Sequence, residues 1–287
     1  MAAPLRIDCH GHVWSDDPEK YPYIGGRSPP PPTDKLGTAE VLLKGMAEAG
    51  VSGFMIVQPI FHEFDDRYVT DTLAQYGPKF RGSFLLDPTL SPASAIEELK
   101  RLRGAGYVGV RFNSGLWAQK GTTFLDATGR AAMQACGKMG MVVGILCNNF
   151  REQAPVIETL AQEFLETKIV LDHFAGLHGE TDPSWPKLLA LAKYSNVYVK
   201  VSGWFRGGVE LYGPATLSLL QAFGADRLMF GTDFPWVMGE GEAGYAEQWR
   251  VFDTWASENL TAGQTAAIAG LTAAELYSFN IKRSPKL

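Results

Sequence analysis

The chain has few cysteines and no long apolar run. Its three cysteines, Cys9, Cys136 and Cys147, are an odd number in a long chain. That excludes a disulfide framework and points to a reducing compartment. No apolar stretch approaches the ~20 residues that a membrane span needs. No run of Lys or Arg occurs, and the net charge is −5, which argues against nucleic acid or an anionic membrane as a partner. No charged-then-apolar leader precedes the first apolar segment, so the expectation is a cytoplasmic protein, unless a targeting segment has been removed. No low-complexity linker divides the sequence, which predicts one domain over residues 1–287. No glycine-rich phosphate loop follows the first strand, as a doubly wound nucleotide-binding sheet usually has.

What is present is an ordinary globular composition of 287 residues, 46% hydrophobic and 20% charged. A chain of this length buries a sizeable core unaided. Short apolar runs rich in Val, Ile, Leu and Phe fall at 5–9, 53–58, 82–87, 107–112, 141–147, 168–172, 197–202 and 228–232. Few alternate cleanly, as expected for strands buried on both faces of a parallel sheet. Helices fit between them at about 38–49, 65–77, 92–104, 127–139, 152–166, 184–194, 213–223 and 242–258. Ser91 before Pro92 is an N-cap signal, and Gly104 and Gly106 are stop signals. Two further helices, about 261–269 and 271–279, close the chain, with Thr261 as a cap. Eight strands alternating with helices predict an α/β fold, a closed (β/α)8 TIM barrel with extra C-terminal helices. Residues 15–37, which include Tyr21, Tyr23 and the run Pro29 to Pro32, form an insertion after the first strand. It reads either as surface decoration or as a wall over the barrel mouth.

Polar residues are scarce within the strands and dense where they end, and in a barrel those ends converge on one site. The first strand runs into His10 and His12. Residues i and i+2 of a strand share a face, so the two imidazoles emerge together and can hold one divalent cation. The second strand ends at Gln58, with His62 beyond, and the third at Asp87. The fourth gives Arg111 and Asn113, the fifth Cys147-Asn148-Asn149, and the sixth Asp172-His173. The seventh gives Lys200-Val201-Ser202-Gly203 and then Arg206, and the eighth Gly231-Thr232-Asp233-Phe234-Pro235-Trp236. Trp14, Trp117, Trp204 and Trp236 read either as an apolar rim for a flat ring or as ordinary packing under loops.

His-x-His on the first strand, Asp-His-x-x-Gly on the sixth and Gly-Thr-Asp-x-Pro-Trp on the eighth resemble the amidohydrolase superfamily. The resemblance runs nearly the whole chain and is closest to the amidohydrolase 2 branch, which holds pyrone and sugar lactonases together with nonoxidative decarboxylases. The Val-Gln-Pro, Gly-Val-Arg-Phe-Asn and Lys-Val-Ser-Gly segments are similar to the lactonase side. The resemblance implies that His10 and His12 bind a metal or the substrate carbonyl. It implies that His173 polarises the carbonyl or transfers a proton, and that Asp233 activates water and ligates any metal. Arg111 would hold a substrate carboxylate. With a metal present, zinc or manganese, the ligands would be His10, His12 and Asp233; a metal-free reaction stays open. The chain departs from the pattern at the fifth strand, where metal-dependent members usually carry a histidine and Cys147 stands here.

These readings predict a hydrolase that opens a lactone or similar cyclic ester on a small, carboxylated substrate. Asp233, His173, His10 and His12 would be catalytic, and Arg111, Gln58, Asn113, Arg206 and Trp236 would bind substrate. Arg111 has an alternative role in an ion pair with Asp87 or Asp172, and His62 and His178 read as loop residues. A metal-dependent decarboxylase of the same superfamily is the second reading, and a non-catalytic ligand-binding barrel the third. A homodimer is compatible with the sequence, although no stretch demonstrates one.

Overall fold

The computed structural model describes residues 5–239 and 244–279. Residues 242 and 243 of the expected 242–258 helix and the ends of the expected 1–287 domain lie outside that set. Eight strands run parallel in sequential order: β1 (Ile7–Gly11), β2 (Gly53–Val57), β3 (Phe80–Leu85), β4 (Tyr107–Asn113), β5 (Val142–Leu146), β6 (Ile169–Leu171), β7 (Val197–Ser202) and β8 (Leu228–Gly231). The ring closes just past β8. The Asp233 N–H donates to His10 O at 2.9 Å, the His12 N–H donates to Phe234 O at 2.6 Å, and Gly11 bridges Phe234 in parallel. This is the expected TIM barrel.

The helices follow from local signals. Thr38 caps α1 (Ala39–Ala49), and Gly50, in the left-handed region, ends it. Next come α2 (Arg67–Tyr76), α3 (Pro92–Gly104) capped by Ser91, α4 (Ala127–Met139), α5 (Phe150–Glu163), α6 (Trp185–Ala190), α7 (Gly208–Phe223) and α8 (Tyr245–Asn259). Helix α7 starts five residues before the expected 213, because Pro214 is tolerated within the helix. The two expected terminal helices are continuous. A capping box at Thr261 starts Ala262–Ala266, and a π turn at Ala267–Leu271 joins it to Thr272–Leu276. Two short helices, Thr33–Leu36 and Ser114–Gln119, were not expected. No helix among the described residues is long and apolar enough to cross a membrane.

Two apolar clusters sit on the two faces of the strands. The larger joins residues such as Val143, Ile169, Leu171, Val199 and Phe230 to the surrounding helices. The smaller joins Ile7, Cys9, Met55, Val142, Val170 and Met229 to Ala273, Tyr277 and Phe279. With the lower barrel filled in this way, open space is left at the C-terminal ends of the strands.

The insertion 15–37 corrects one expectation. None of its residues lines the cavity at the mouth; only Trp14, just before it, does. Its contacts run sideways instead: Tyr21 donates to Asp71 at 2.6 Å, and Pro22 O lies 3.1 Å from His62 Nδ1. It also pins Trp14, whose indole donates to Thr33 O at 2.8 Å. A Cβ on Gly37 would fall 2.2 Å from that indole nitrogen. Among the described residues the insertion therefore shapes the mouth from behind, by fixing Trp14 and by packing Tyr23 against Phe61 at 6.4 Å between ring centroids.

Candidate active site

A cavity of about 410 Å³ opens at the strand ends, lined by His12, Trp14, Arg111, Asn113, His173, His178, Arg206, Asp233 and Trp236 among others. Trp14, Phe61 and Trp236 meet in edge contacts, with Trp14 5.7 Å from Trp236 and 5.5 Å from Phe61 by ring centroids. They give the cavity an apolar wall, as the rim reading expected. Trp117 and Trp204 do not line it; they pack in the core.

At the floor, one carboxylate oxygen faces three imidazoles. Asp233 Oδ1 lies 3.5 Å from His10 Nε2, 3.4 Å from His12 Nε2 and 3.9 Å from His173 Nε2. The other oxygen, Oδ2, is 2.6 Å from Arg206 Nη2. Burial pushes the Asp233 carboxyl up, but His173, His12, Arg206 and His10 around it outweigh that and hold the group well below the ordinary carboxylate range. Asp233 is therefore an anion at neutral pH. Burial lowers two of the rings beside it: His173 falls to about 4, and His10 lies well below 6.5, helped by Lys200. Both rings are neutral at pH 7.

Backbone strain aims these groups. Asp233 has φ +62°, and His173, Phe174 and Ala175 have φ +50°, +53° and +60°. Non-glycine residues rarely stay there unless the surroundings hold them. Asp8, fully buried, does so for Asp233. It accepts from Thr232 N at 3.0 Å, Thr232 Oγ1 at 2.7 Å and His10 N at 3.2 Å. Ser202 Oγ, 2.8 Å from His173 Nδ1, fixes that ring. The sixth-strand turn also needs Gly176, at φ +77°, where a Cβ would meet Cys147 O at 2.4 Å.

Below His10 lies a buried charge cluster. Arg111 Nε donates to Asp172 Oδ2 at 2.8 Å, and Lys200 Nζ is 3.1 Å from Asp172 Oδ1. Lys200 Nζ is also 3.1 Å from His10 Nδ1, and Asp172 Oδ1 is 3.3 Å from the same nitrogen. Of the two ion-pair partners considered for Arg111, the structure selects Asp172. Arg111 also lines the cavity.

Other expected residues divide. Trp236 and Arg206 line the cavity. Asn113 does too, while its Oδ1 accepts from Gly115 N at 3.0 Å and Leu116 N at 3.2 Å as a helix cap. Gln58 does not reach the cavity. It is buried, and its Nε2 donates to Asp65 O at 2.7 Å and Glu63 O at 3.4 Å, bracing the loop after β2. His62 is buried under that loop, against the Tyr23 ring at 5.0 Å, while His178 lines the cavity. Sequence reasoning gave no role to Asp8, Lys200 or Ser202. For the last two, alternation along β7 was the available signal, since it puts Lys200 and Ser202 on one face.

The donors suit a divalent metal ion. Val57 O accepts from His12 Nδ1 at 2.8 Å, so the Nε2 of a neutral His12 presents a lone pair to Asp233 Oδ1. Two acceptors 3.4 Å apart need a positive charge between them, either a proton or a cation. His10 Nε2 and Asp233 Oδ1 are buried without hydrogen-bond partners. Tetrahedral zinc bonds of about 2.0–2.1 Å separate ligand atoms by roughly 3.4 Å, close to the 3.4 and 3.5 Å seen here. His10, His173 and Asp233 have ligand atoms within 4.8 Å of one another, so His173 stands as a further donor beside the expected three. Cys147, just past strand β5, stands outside that group; it is buried, and burial pushes its thiol up to about 12.

Residues 7–279 match the family model described as amidohydrolase. The chain is 27% identical over 243 residues to 4-sulfomuconolactone hydrolase of Hydrogenophaga intermedia, covering 81% of this chain and 75% of that one. It is 28% identical over 296 residues to L-fucono-1,5-lactonase of Burkholderia multivorans, covering 96% of each. A solved structure from Pseudomonas putida, described as a 2-pyrone-4,6-dicarboxylic acid hydrolase, superposes with a TM-score of 0.79 at 26% identity, over 98% of this chain and 100% of that one.

Proposed function

The chain belongs to the amidohydrolase family, and from that premise we propose that it is a hydrolase opening a lactone that carries a carboxylate. The observation that carries this reading is the approach of three imidazole nitrogens, at 3.4–3.9 Å, to one oxygen of an ionised, buried aspartate at the floor of an arginine-bearing cavity. The relatives reported above are named as hydrolases of ring esters, and two of those names denote acidic substrates.

In this reading the lactone ring lies against the wall of Trp14, Phe61 and Trp236, and its carboxylate meets the Arg111 fork. Arg111 is held from behind by Asp172, so the fork is fixed before substrate arrives. Water attacks the ring carbonyl carbon, and Asp233 Oδ1 accepts its proton. His10 and His173 donate from Nε2 to the carbonyl oxygen as negative charge develops there, the electrostatic contribution that is usually largest in acyl transfer. The C–O bond of the ring then breaks. Asp233 is a weak base, so the proton passes on to the departing ring oxygen and leaves a hydroxy acid. A divalent ion held by His10, His12 and Asp233, with His173 in reach, would supply Lewis-acid polarisation and a lowered water pKa.

The test is a panel of neutral and carboxylated lactones, followed by ring-opening absorbance, with wild type and Asp233→Asn. The expected loss in Asp233→Asn is at least ~10³-fold in kcat, with the variant still folded by circular dichroism. Retained turnover in that variant would overturn the role of Asp233. Release of carbon dioxide from a carboxylated aromatic, with no lactone opened, would favour the decarboxylase reading.

A further inference from the structure

Lys200 is the buried charge that the proposed reaction leaves without a role. It sits on β7 inside the barrel, 2% exposed, and touches neither the cavity nor solvent. Its Nζ is 3.1 Å from His10 Nδ1 and 3.1 Å from Asp172 Oδ1. Asp172 is tied on its other oxygen by Arg111 Nε at 2.8 Å.

A neutral imidazole carries one proton, and the partner of one ring nitrogen decides where it lies. Two partners compete for His10 Nδ1. A lysine ammonium has only donors. If it donates to Nδ1, the ring proton must be on Nε2, facing Asp233 Oδ1 at 3.5 Å. Asp172 Oδ1, at 3.3 Å, has only lone pairs to offer. If it takes the Nδ1 proton instead, Nε2 is a free lone pair and can ligate a metal. The lysine contact is the shorter and has hydrogen-bond geometry, whereas Asp172 Oδ1, with Lys200 Nζ beside it at 3.1 Å, makes no hydrogen bond.

We propose that Lys200 is a positioning residue that holds metal-free His10 with its proton on Nε2. His10 then stands as a hydrogen-bond donor towards the reacting centre. Metal uptake requires that proton to leave Nε2 and Nδ1 to turn to Asp172. Lys200 thus sets how readily the site trades a hydrogen-bonding floor for a metal-binding one. This assignment concerns the site alone and holds whichever ester is opened.

The experiment is long-range ¹H–¹⁵N spectroscopy of the full chain labelled on histidine, after chelation, with His10→Gln used only to assign the His10 signals. Wild type should show His10 protonated on Nε2. Adding zinc alone should convert it to the Nδ1–H form, with Nε2 shifted by ligation. In Lys200→Met the metal-free protein should already show Nδ1–H, and zinc titrated by calorimetry should bind at least tenfold tighter. An Nδ1–H signal in metal-free wild type would overturn the proposal, and this measurement does not depend on Lys200→Met folding. So would an Nε2–H signal that persists in Lys200→Met, because tighter zinc binding alone would then report only a lost neighbouring charge.

Discussion

Asp8 is the most testable residue beneath the site. It is fully buried, and burial raises its carboxyl from 3.8 to about 6, against hydrogen bonds from Thr232 and the His10 backbone that lower it. The folded state therefore binds a proton more tightly than the unfolded chain. Between pH 4 and 6 the native protein holds more protons, so stability falls as pH rises through that window and is flat above it. A rise from 3.8 to about 6, at ~1.36 kcal/mol per pH unit, is worth ~3 kcal/mol in full. About 2.5 kcal/mol of this falls between pH 4 and 7.5. Asp8→Asn keeps an oxygen for the two backbone N–H groups and has no charge to lose. Its stability relative to wild type should therefore improve by about 2.5 kcal/mol on going from pH 4 to 7.5. Urea unfolding of both proteins at four pH values, with chelator present throughout, measures the difference. A relative change under ~1 kcal/mol would refute the reasoning, because the three hydrogen bonds would then offset burial completely.

Three further outcomes follow from the geometry. Gly11→Ala places a Cβ 2.3 Å from Phe54 Cζ and 2.9 Å from Phe234 O, where the barrel closes between the two histidines; it should cost ~2–3 kcal/mol by thermal melting and lower kcat by displacing His10 from Asp233. Arg111→Lys keeps the charge but loses the fork, so KM for a carboxylated lactone should rise ~10–100-fold, while KM for a neutral lactone of the same ring size stays within about threefold, as steady-state kinetics would show. Gln58→Leu leaves Asp65 O without its 2.7 Å donor and should cost ~1–2 kcal/mol by urea unfolding with KM unchanged; a raised KM would return Gln58 to the substrate.

The barrel was legible because its strands are apolar and short, and because the polar residues collect where they end. The sequence places His10, His12, His173 and Asp233 on the right strands, and the structure brings them within 4 Å of a common oxygen. What escaped was the support beneath them. Asp8 reads as an ordinary acidic residue in an apolar run, since nothing local shows that it will receive Thr232, 224 positions away. Lys200 sits between valines in β7 and looks like a strand-end charge until the barrel closes around it. Gln58 misled for the opposite reason. It stands where a site residue should, but its amide is consumed by the carbonyls of the following loop. Contacts across the barrel have no sequence period, whereas strands and helices do.

The charge cluster also explains how a site without a strand-5 histidine can stay ordered. Cys147 is buried, with its thiol pushed up to about 12, and it stands outside the His10, His173 and Asp233 group. Order comes instead from Asp172, whose two oxygens face Arg111 on one side and Lys200 with His10 on the other. Removing one partner of such a buried set leaves an uncompensated charge, at a cost of about 3–5 kcal/mol, so the members hold one another in a single geometry. The residue assigned to grip the substrate and the residue facing the reacting centre are thus attached to the same carboxylate. An anion bound to the fixed Arg111 fork competes with Asp172 for its charge, and Asp172 Oδ1 faces His10 Nδ1 at 3.3 Å. In the proposed reaction the substrate carboxylate and His10 would be coupled through one buried group, and a substrate that fails to engage Arg111 should lose turnover as well as affinity.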